Sequence, residues 1–408
     1  MRSTTFDEPV TVVGIGADGW AGLGERGRDA LQHAQVILGG QRHLDLLPAA
    51  VPAQRVPWPT PLLPALPGLL AAHAGQRVCV LASGDPMWFG IGSHLVQLLG
   101  PDRVRVVTHP SSIALACARM GWPVEQVTVR SAVGRDLDGI RRDLVPDRRL
   151  LVLSQDAATS AALARILADA GYGPSEMTVL AALGTDREHR VDGRAQEWVT
   201  EPGDALNIVA VRVAAAAGTR VLATMPGLPD DAFDHDGALT KREARALALS
   251  RLAPTAGELL WDVGAGSGSI AIEWLRSDPA TSAVAVESRD DRADRIAGNA
   301  RTLGVPQLRV VRGRAPEALA GLPAPDAVFV GGGLTAPGVF DAAWDALRPG
   351  GRLVAHAVTL EGERELADQA TRRGGDLTRL SIERVAPLGS FTGWAPARPV
   401  VQWAVRKS

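Results

Sequence analysis

Cysteine is nearly missing from this chain: only Cys79 and Cys117 occur in 408 residues. Two thiols without C-x-x-C spacing provide neither a disulfide framework nor a metal-ligand set. Cys79 lies in the apolar run Arg77-Val-Cys-Val-Leu81 and Cys117 in a small-residue helical pattern, so both read as small buried hydrophobes. Aromatics are also scarce, 4 % of the chain, with one Tyr and six Phe beside ten Trp. The Trp residues read first as core and second as pocket walls for flat apolar ligands. An excess of one charge is lacking too: 43 Lys and Arg face 45 Asp and Glu, a net −2. That balance argues against a dedicated nucleic-acid binder, which carries a basic footprint, though a local patch stays compatible with it. No apolar run reaches the ~20 residues of a membrane span, and the first residues lack a secretory pattern. The expectation is a cytoplasmic protein.

What is present is an ordinary globular composition, 46 % hydrophobic and 22 % charged. At roughly 100–200 residues per domain, the length fits two or three domains. Short β-branched runs alternate with longer helical patterns, which predicts α/β domains with largely parallel sheets. The first series has strands at 10–16, 36–38, 77–81, 103–107, 126–130, 149–153, 177–183 and 205–213. Helices are expected at 26–34, 111–120 and 157–170, and the Pro-rich stretch 51–67 reads as an irregular connection. A linker at 214–219 separates a domain over 1–213 from one over 222–408. The second series places strands at 259–263, 283–287, 308–312, 327–330, 351–358, 377–385 and 400–405, seven in all, with the last two expected to include an antiparallel hairpin pair. Helices fall between them at 269–276, 290–303, 337–347 and 361–373. A further helix is expected from Thr240, as N-cap, with Glu243 as its capping-box partner.

Chemistry concentrates at the ends of the second-series strands. Asp262 is followed by Val263 and the loop Gly264-Ala265-Gly266-Ser267-Gly268, which joins a buried strand to a helix. Such a loop lets backbone approach a ligand and leaves helix N–H groups free to bind it. Its G-x-G-x-G spacing lacks the third glycine of the dinucleotide fingerprint, because Ser269 stands one position later. Glu287 ends the next strand, where a carboxylate reaches both hydroxyls of a ribose; a solvated strand-end acid is the plainer alternative. Asp262 reads equally as a ligand contact or a brace for the loop. Gly313 and Ala315 follow the third strand, and Gly331, Gly332 and Gly333 follow the fourth, at the edge where open α/β sheets bind ligands.

These blocks resemble the class I S-adenosylmethionine-dependent methyltransferases. Leu228 to Phe233, Leu239 to Arg245 and Asp326 to Gly333 are similar to the small decarboxylating precorrin methyltransferases of cobalamin (vitamin B12) biosynthesis. The resemblance implies a cofactor contact for Thr240, and for Asp262, Gly264, Ala265, Gly266, Ser267, Gly268, Glu287, Gly313 and Ala315. The first half resembles the tetrapyrrole methylases: Val12-Val-Gly-Ile-Gly16 matches their opening strand, Ser83-Gly84-Asp85-Pro86 their G-D-P block, and Pro110-Ser-Ser112-Ile113 a later turn. Cofactor contacts are implied for Gly16, Gly84, Asp85, Pro86 and Ser112. In Ser131-Ala-Val-Gly-Arg135, Val133 stands where that family's block has His, and Gly24 stands where its opening block often has Thr.

Together the halves resemble the fused decarboxylating precorrin methyltransferases. The implied fold is a tetrapyrrole methylase fold of two α/β subdomains followed by a Rossmann-like domain with a seven-stranded sheet. The implied activity methylates precorrin-6Y (precorrin-6B) at carbons 5 and 15 and removes CO2 from the ring-C acetate at carbon 12, giving precorrin-8X. A carboxylate-rich macrocycle calls for Arg and Lys at its mouth; the candidates are Lys241, Arg242 and Arg245 with Gly331, Gly332 and Gly333 in the second half, and Arg135 in the first. No general acid or base is evident, no metal site is expected, and self-association is. Alternatives remain: an RNA adenine methyltransferase, a nucleotide-dependent dehydrogenase, and a non-catalytic cofactor sensor.

Overall fold

The computed structural model describes residues 8–199 and 203–408, and the chain forms two compact units. The first comprises residues 1–135 and 145–219; the second comprises 136–144 and 220–408.

The first unit opens with β1 (Val10–Ile15), α1 (Glu25–His33), β2 (Val36–Gly39), α2 (Gln41–Asp45), β3 (Gln54–Pro57), α3 (Leu62–Ala72), β4 (Val78–Ser83), α4 (Ile91–Leu99) and β5 (Val104–Val107). The five strands form one sheet in the order β3-β2-β4-β1-β5, and every pair in it is parallel. Both faces are covered, so the inner strands are unbroken apolar runs: Val10, Val12, Val13 and Ile15 are all buried. After α5 (Ser112–Met120) come β6 (Val127–Ser131), β7 (Arg149–Leu153), α6 (Thr159–Asp169), β8 (Glu176–Ala181), β9 (His189–Arg194) and β10 (Asn207–Arg212). These strands make a second sheet in the order β6-β7-β10-β8-β9, parallel only at β6–β7. The stretch 51–67 is more regular than its prolines imply. β3 is an edge strand, where Pro57 costs no ladder bond, and Pro61 and Pro64 fall where α3 begins and needs no N–H acceptor. The helix α4, despite the helical spacing of Ile91, Leu95, Val96 and Leu99, and the exposed strand β9, which has no apolar alternation, were not expected.

The second unit runs α7 (Arg242–Leu252), β11 (Leu259–Val263), α8 (Ser269–Ser277), β12 (Ser282–Glu287), α9 (Asp290–Thr302), β13 (Arg309–Arg312), β14 (Ala327–Val330), α10 (Val339–Ala346), β15 (Arg352–Ala357), α11 (Leu360–Arg373), β16 (Asp376–Leu380), β17 (Glu383–Leu388), β18 (Phe391–Pro396) and β19 (Val400–Arg406). Its seven-stranded sheet has the order β13-β12-β11-β14-β15-β19-β16, with β19 antiparallel to both neighbours. The expected strand 377–385 is two strands. β16 stays in the sheet, while β17 pairs only with β18 in a separate hairpin. Trp261, Trp274 and Trp403 are fully buried in this unit, as core. The segment 137–143 packs on the turn after α9, where the backbone of Arg142 leaves no room for a side chain at Gly304, whose φ is +77°. Both cysteines are buried, and burial pushes the Cys79 thiol up to about 12. No helix among the described residues is long and apolar enough to cross a membrane.

One buried ion pair ties the approach segment 227–241 to the helices α7 and α8. Glu273, on α8, accepts the N–H groups of Gly227 (2.6 Å) and Leu228 (2.9 Å) and the Arg245 Nε (2.7 Å). The Arg245 guanidinium is fully buried, stacks 4.8 Å from the centre of the Phe233 ring, and donates to the carbonyls of Leu228 and Thr240. Arg245 therefore faces away from any substrate mouth, correcting its assignment as a substrate contact: every branch of its fork is spent inside the fold. The capping box is corrected as well. The helix begins after Lys241, which caps it without a side-chain bond. Glu243 pairs instead with Arg384 at 2.5 Å. Removing one partner of a buried pair leaves the other charge uncompensated and costs about 3–5 kcal/mol. Glu273→Ala is therefore expected to lower the unfolding free energy by that much, read as a fall in the urea midpoint of the second unit.

Candidate functional site

In the second unit the carboxyl ends of β11, β12 and β14 meet at two glycine-bearing loops. Gly264 has φ +69°, and a Cβ there would lie 2.6 Å from the Cα and carbonyl oxygen of Gly332, so the two loops touch backbone to backbone. Gly266 (φ +60°) and Gly268 (φ +76°) continue the turn, and Gly268 packs against Ile296 as the N-cap of α8. Two cavities adjoin at this contact and share Gly264 and Gly332 in their walls. One, about 380 Å³, is also lined by Ser288, Gly313, Ala315 and Gly333. The other, about 450 Å³, is lined by Thr240, Lys241, Asp262, Ala265, Gly266 and Gly331 among others. Both fall in the size range of small-molecule sites.

The two acids lie beneath the glycine loop. Asp262 is buried and accepts the Ala271 N–H at 3.1 Å, bracing the first turn of α8. Burial, with the nearby Glu287 charge adding to it, pushes its carboxyl up to about 7, against the pull of that hydrogen bond. Glu287 is also buried; its Oε2 accepts Gly266 N–H (2.9 Å) and its Oε1 accepts Arg289 N–H (3.0 Å). Oε1 also accepts the Ser288 hydroxyl (3.4 Å), so the lone pair left for a ligand is on Oε2. The buried Ser267 Oγ has no protein partner, while Ser267 O accepts from Asn299 Nδ2. Close backbone approach, an orphaned hydroxyl, paired acids and cavities on both sides of Gly264 suit a nucleoside carrying a cationic tail, so the residues fit S-adenosylmethionine.

The rim of the larger cavity is cationic. Lys241 and Arg292 line it, as do Arg384 and Arg398 from the β17–β18 hairpin and the segment after it. Nothing in their local context singles out Arg292, Arg384 and Arg398, because the fold alone brings them to the mouth. Arg242 is exposed beside Gly227 and outside the cavity lining. His356, near the end of β15, also lines the cavity and was missed as a strand residue in an apolar run.

In the first unit a cavity of about 350 Å³ opens between the two sheets, lined by Gly16, Gly84, Ser112, Ser131, Ser154 and Asn207 among others. Gly16 has no space for a Cβ beside Asp18 and His109, and Gly84 has φ +56° with Ser111 3.0 Å from such a Cβ. Asp85 and Pro86 lie outside the lining. Asp85 Oδ1 caps the Met87 N–H at 2.8 Å, and the Pro86 carbonyl crowds Gly90 and Gly92 to close the turn. The turn carries Trp88 and Phe89 to the cavity wall, and the Arg135 guanidinium lies 4.9 Å above the Phe89 ring. Val133 lines the same cavity.

The Asp262 shift has a stability consequence. Its folded-state value, about 7, lies above the ~3.9 of an unfolded Asp. Its contribution is thus full below about pH 4 and is lost as pH rises through about 7. Asp262→Asn, which keeps an acceptor for Ala271, is expected to flatten that decline. Urea midpoints of the two proteins from pH 4.5 to 7.5 measure it, and parallel profiles would refute it.

Two family models cover most of the chain. The one described as "Tetrapyrrole (Corrin/Porphyrin) Methylases" matches residues 9–198, and "Precorrin methyltransferase domain" matches residues 231–407. The chain is 46 % identical over 398 residues to a Precorrin-6Y C(5,15)-methyltransferase [decarboxylating] of Sinorhizobium sp, covering 98 % of this chain and 96 % of the relative. It is 46 % identical over 402 residues to the protein of the same name from Mycobacterium tuberculosis (strain ATCC 25618 / H37Rv), covering 98 % of this chain and all of the relative. Among solved structures, the C-terminal domain of precorrin-6Y C5,15-methyltransferase from Rhodobacter capsulatus is 46 % identical and covers 46 % of this chain and all of that one, with a TM-score of 0.43. The chain belongs to the family of decarboxylating precorrin-6Y C(5,15)-methyltransferases.

Proposed function

We propose that the chain methylates precorrin-6Y at carbons 5 and 15 and decarboxylates its ring-C acetate at carbon 12, giving precorrin-8X, from two separate sites. The observation that carries this reading is the pair of glycine-lined cavities, one in each unit, in a chain that matches its relatives over almost its full length. Residues 1–213 are assigned the carbon-5 methylation and residues 222–408 the carbon-15 methylation with loss of CO2. S-adenosylmethionine, when bound, supplies an activated methyl on a sulfonium.

The chain's own residues position the reactants, and positioning of this kind accounts for much of the acceleration in such a reaction. In the second unit the glycines of the Gly264–Gly268 loop let its backbone lie close to the ligand, Glu287 would orient the ribose, and Gly313 and Ala315 would flank the adenine. Thr240 would contact the cofactor, and the loop after β14, Gly331 to Gly333, would border the macrocycle. Lys241, Arg292, Arg384 and Arg398 hold the carboxylates of the macrocycle. In the first unit Gly16, Gly84 and Ser112 face the cofactor and Arg135 stands at the mouth. The conjugated macrocycle takes up the electron pair left by departing CO2. A cytoplasmic, self-associating enzyme that does not bind nucleic acid belongs to the same proposal, supported by the balanced charge.

Two full-length variants test the division of labour. Glu287→Ala removes both the loop anchor and the ribose acceptor and is expected to weaken cofactor binding at the second site by roughly 10- to 100-fold. Gly84→Val places a branched side chain at a positive φ and against Ser111, closing the first site. With precursor and limiting S-adenosylmethionine, product masses should show the Gly84 variant giving a decarboxylated product with one added methyl, and the Glu287 variant losing the carbon-15 methyl. A Gly84 variant that still adds both methyls would assign both to the second unit.

A further inference from the structure

The proposed chemistry of the second unit moves two protons. Converting an acetate side chain, –CH2–COO⁻, into a methyl group and CO2 places one proton on carbon. Replacing hydrogen by methyl at carbon 15 releases one. The C–COO⁻ bond breaks and its electron pair passes into the macrocycle; a C–CH3 bond forms at carbon 15 as the methyl's bond to the sulfonium breaks and leaves its pair on sulfur; the C–H bond there breaks, leaving its pair in the ring; and a C–H bond forms at the methylene carbon. The protons balance, so one group that accepts a proton and returns it suffices.

The ionisable groups facing that cavity are Lys241, Asp262, Arg292, His356, Arg384 and Arg398. The arginines do not deprotonate. Lys241 stands at the exposed rim, 3.9 Å from Asp230. Asp262 lies beneath the glycine loop and is committed to the Ala271 N–H. His356 differs from all of these. It is buried, yet it lines the cavity wall. Its ring is fixed from two sides: Nε2 lies 2.9 Å from Gln402 Oε1 on β19, and the Phe329 ring of β14 meets it edge-on at 5.1 Å. An amide oxygen only accepts, so Nε2 donates, and the lone pair of the neutral ring sits on Nδ1. Burial keeps the imidazole neutral, lowering its pKa against the opposing pull of Gln402. Strand register puts His356 opposite Gln402 and, through Phe329 opposite Val354, on the sheet face that carries Asp262.

We infer that His356 is a catalytic residue of the second site, its Nδ1 taking the proton released at carbon 15 and returning it to the methylene carbon left by CO2, with Gln402 as its positioning residue. This rests on the carbon-15 and decarboxylation chemistry proposed above for the same site.

The test uses the full chain and its His356→Gln variant, which retains a side chain able to hydrogen-bond Gln402. Formation of the decarboxylated product methylated at carbon 15 is expected to fall about 100-fold or more, the scale of a lost general acid–base. Binding of S-adenosylhomocysteine, read by calorimetry, should stay within two-fold of the unchanged chain. The acid limb of the pH–rate profile should disappear, and added imidazole should restore part of the rate. A variant that turns over at the unchanged rate overturns the role. So does a slow variant that keeps the acid limb and ignores imidazole, since a purely structural His–Gln pair behaves that way. If the unchanged chain itself releases no CO2 from the tetrapyrrole, the parent reading fails, and that result is distinct from failure of the histidine's role.

Discussion

The Glu273 carboxylate is the point on which the second unit's working surface depends. It is fully enclosed, and its oxygens are bonded to two backbone N–H groups of the approach segment and to Arg245. Arg245 then grips the carbonyls of Leu228 and Thr240. The segment buries Leu228 and Phe233 in the core, and a charge-assisted network holds the polar backbone between them. Its fixed end delivers Thr240 and Lys241 to the cavity. A residue that looked like a substrate contact is therefore a structural clamp, while Lys241, one turn earlier, lines the cavity.

The sheet provides the second constraint. Parallel strands end together, so β11, β12 and β14 bring their following loops to one edge. Gly264 and Gly332 meet there with no room for a side chain at the first. This crossing separates the two adjoining cavities, giving a nucleoside-sized compartment on one side and a wider, cation-rimmed one on the other. Burying Asp262 beneath the loop and beside Glu287 disfavours its ionisation. The reversed strand β19 then places Gln402 beside His356, so the last strand of the sheet reaches back to orient a group at its centre.

The first unit solves a similar problem with different parts. Its cavity lies between a wholly parallel sheet and a mostly antiparallel one, and serines, Asn207 and aromatic rings line it in place of buried acids. The turn after β4 is folded tightly on Pro86, which excludes a side chain at Gly90 and Gly92 and turns Trp88 and Phe89 toward the cavity. Asp85 and Pro86 shape that turn instead of lining the site.

The sequence by itself determined the alternation of strands and helices, the seven strands of the second sheet, and the loops that follow β1, β4, β11, β12 and β14. Those features are local: apolar runs of strand length, glycines where φ must be positive, and an acid at a strand end all act within a few residues. The split of 377–385 into a sheet strand and a hairpin, the helix hidden in the Pro-rich stretch, and the packing of 137–143 on Gly304 were decided by the tertiary structure, because each depends on a partner distant in sequence. The same holds for side-chain roles. Arg245 and Lys241 are both basic residues in one short block, and nothing in their spacing says that one is walled in by Glu273 while the other faces a cavity. His356 sits in a run of apolar strand residues, where only the neighbouring Gln402, 46 residues on, and the cavity beside it give the ring a direction.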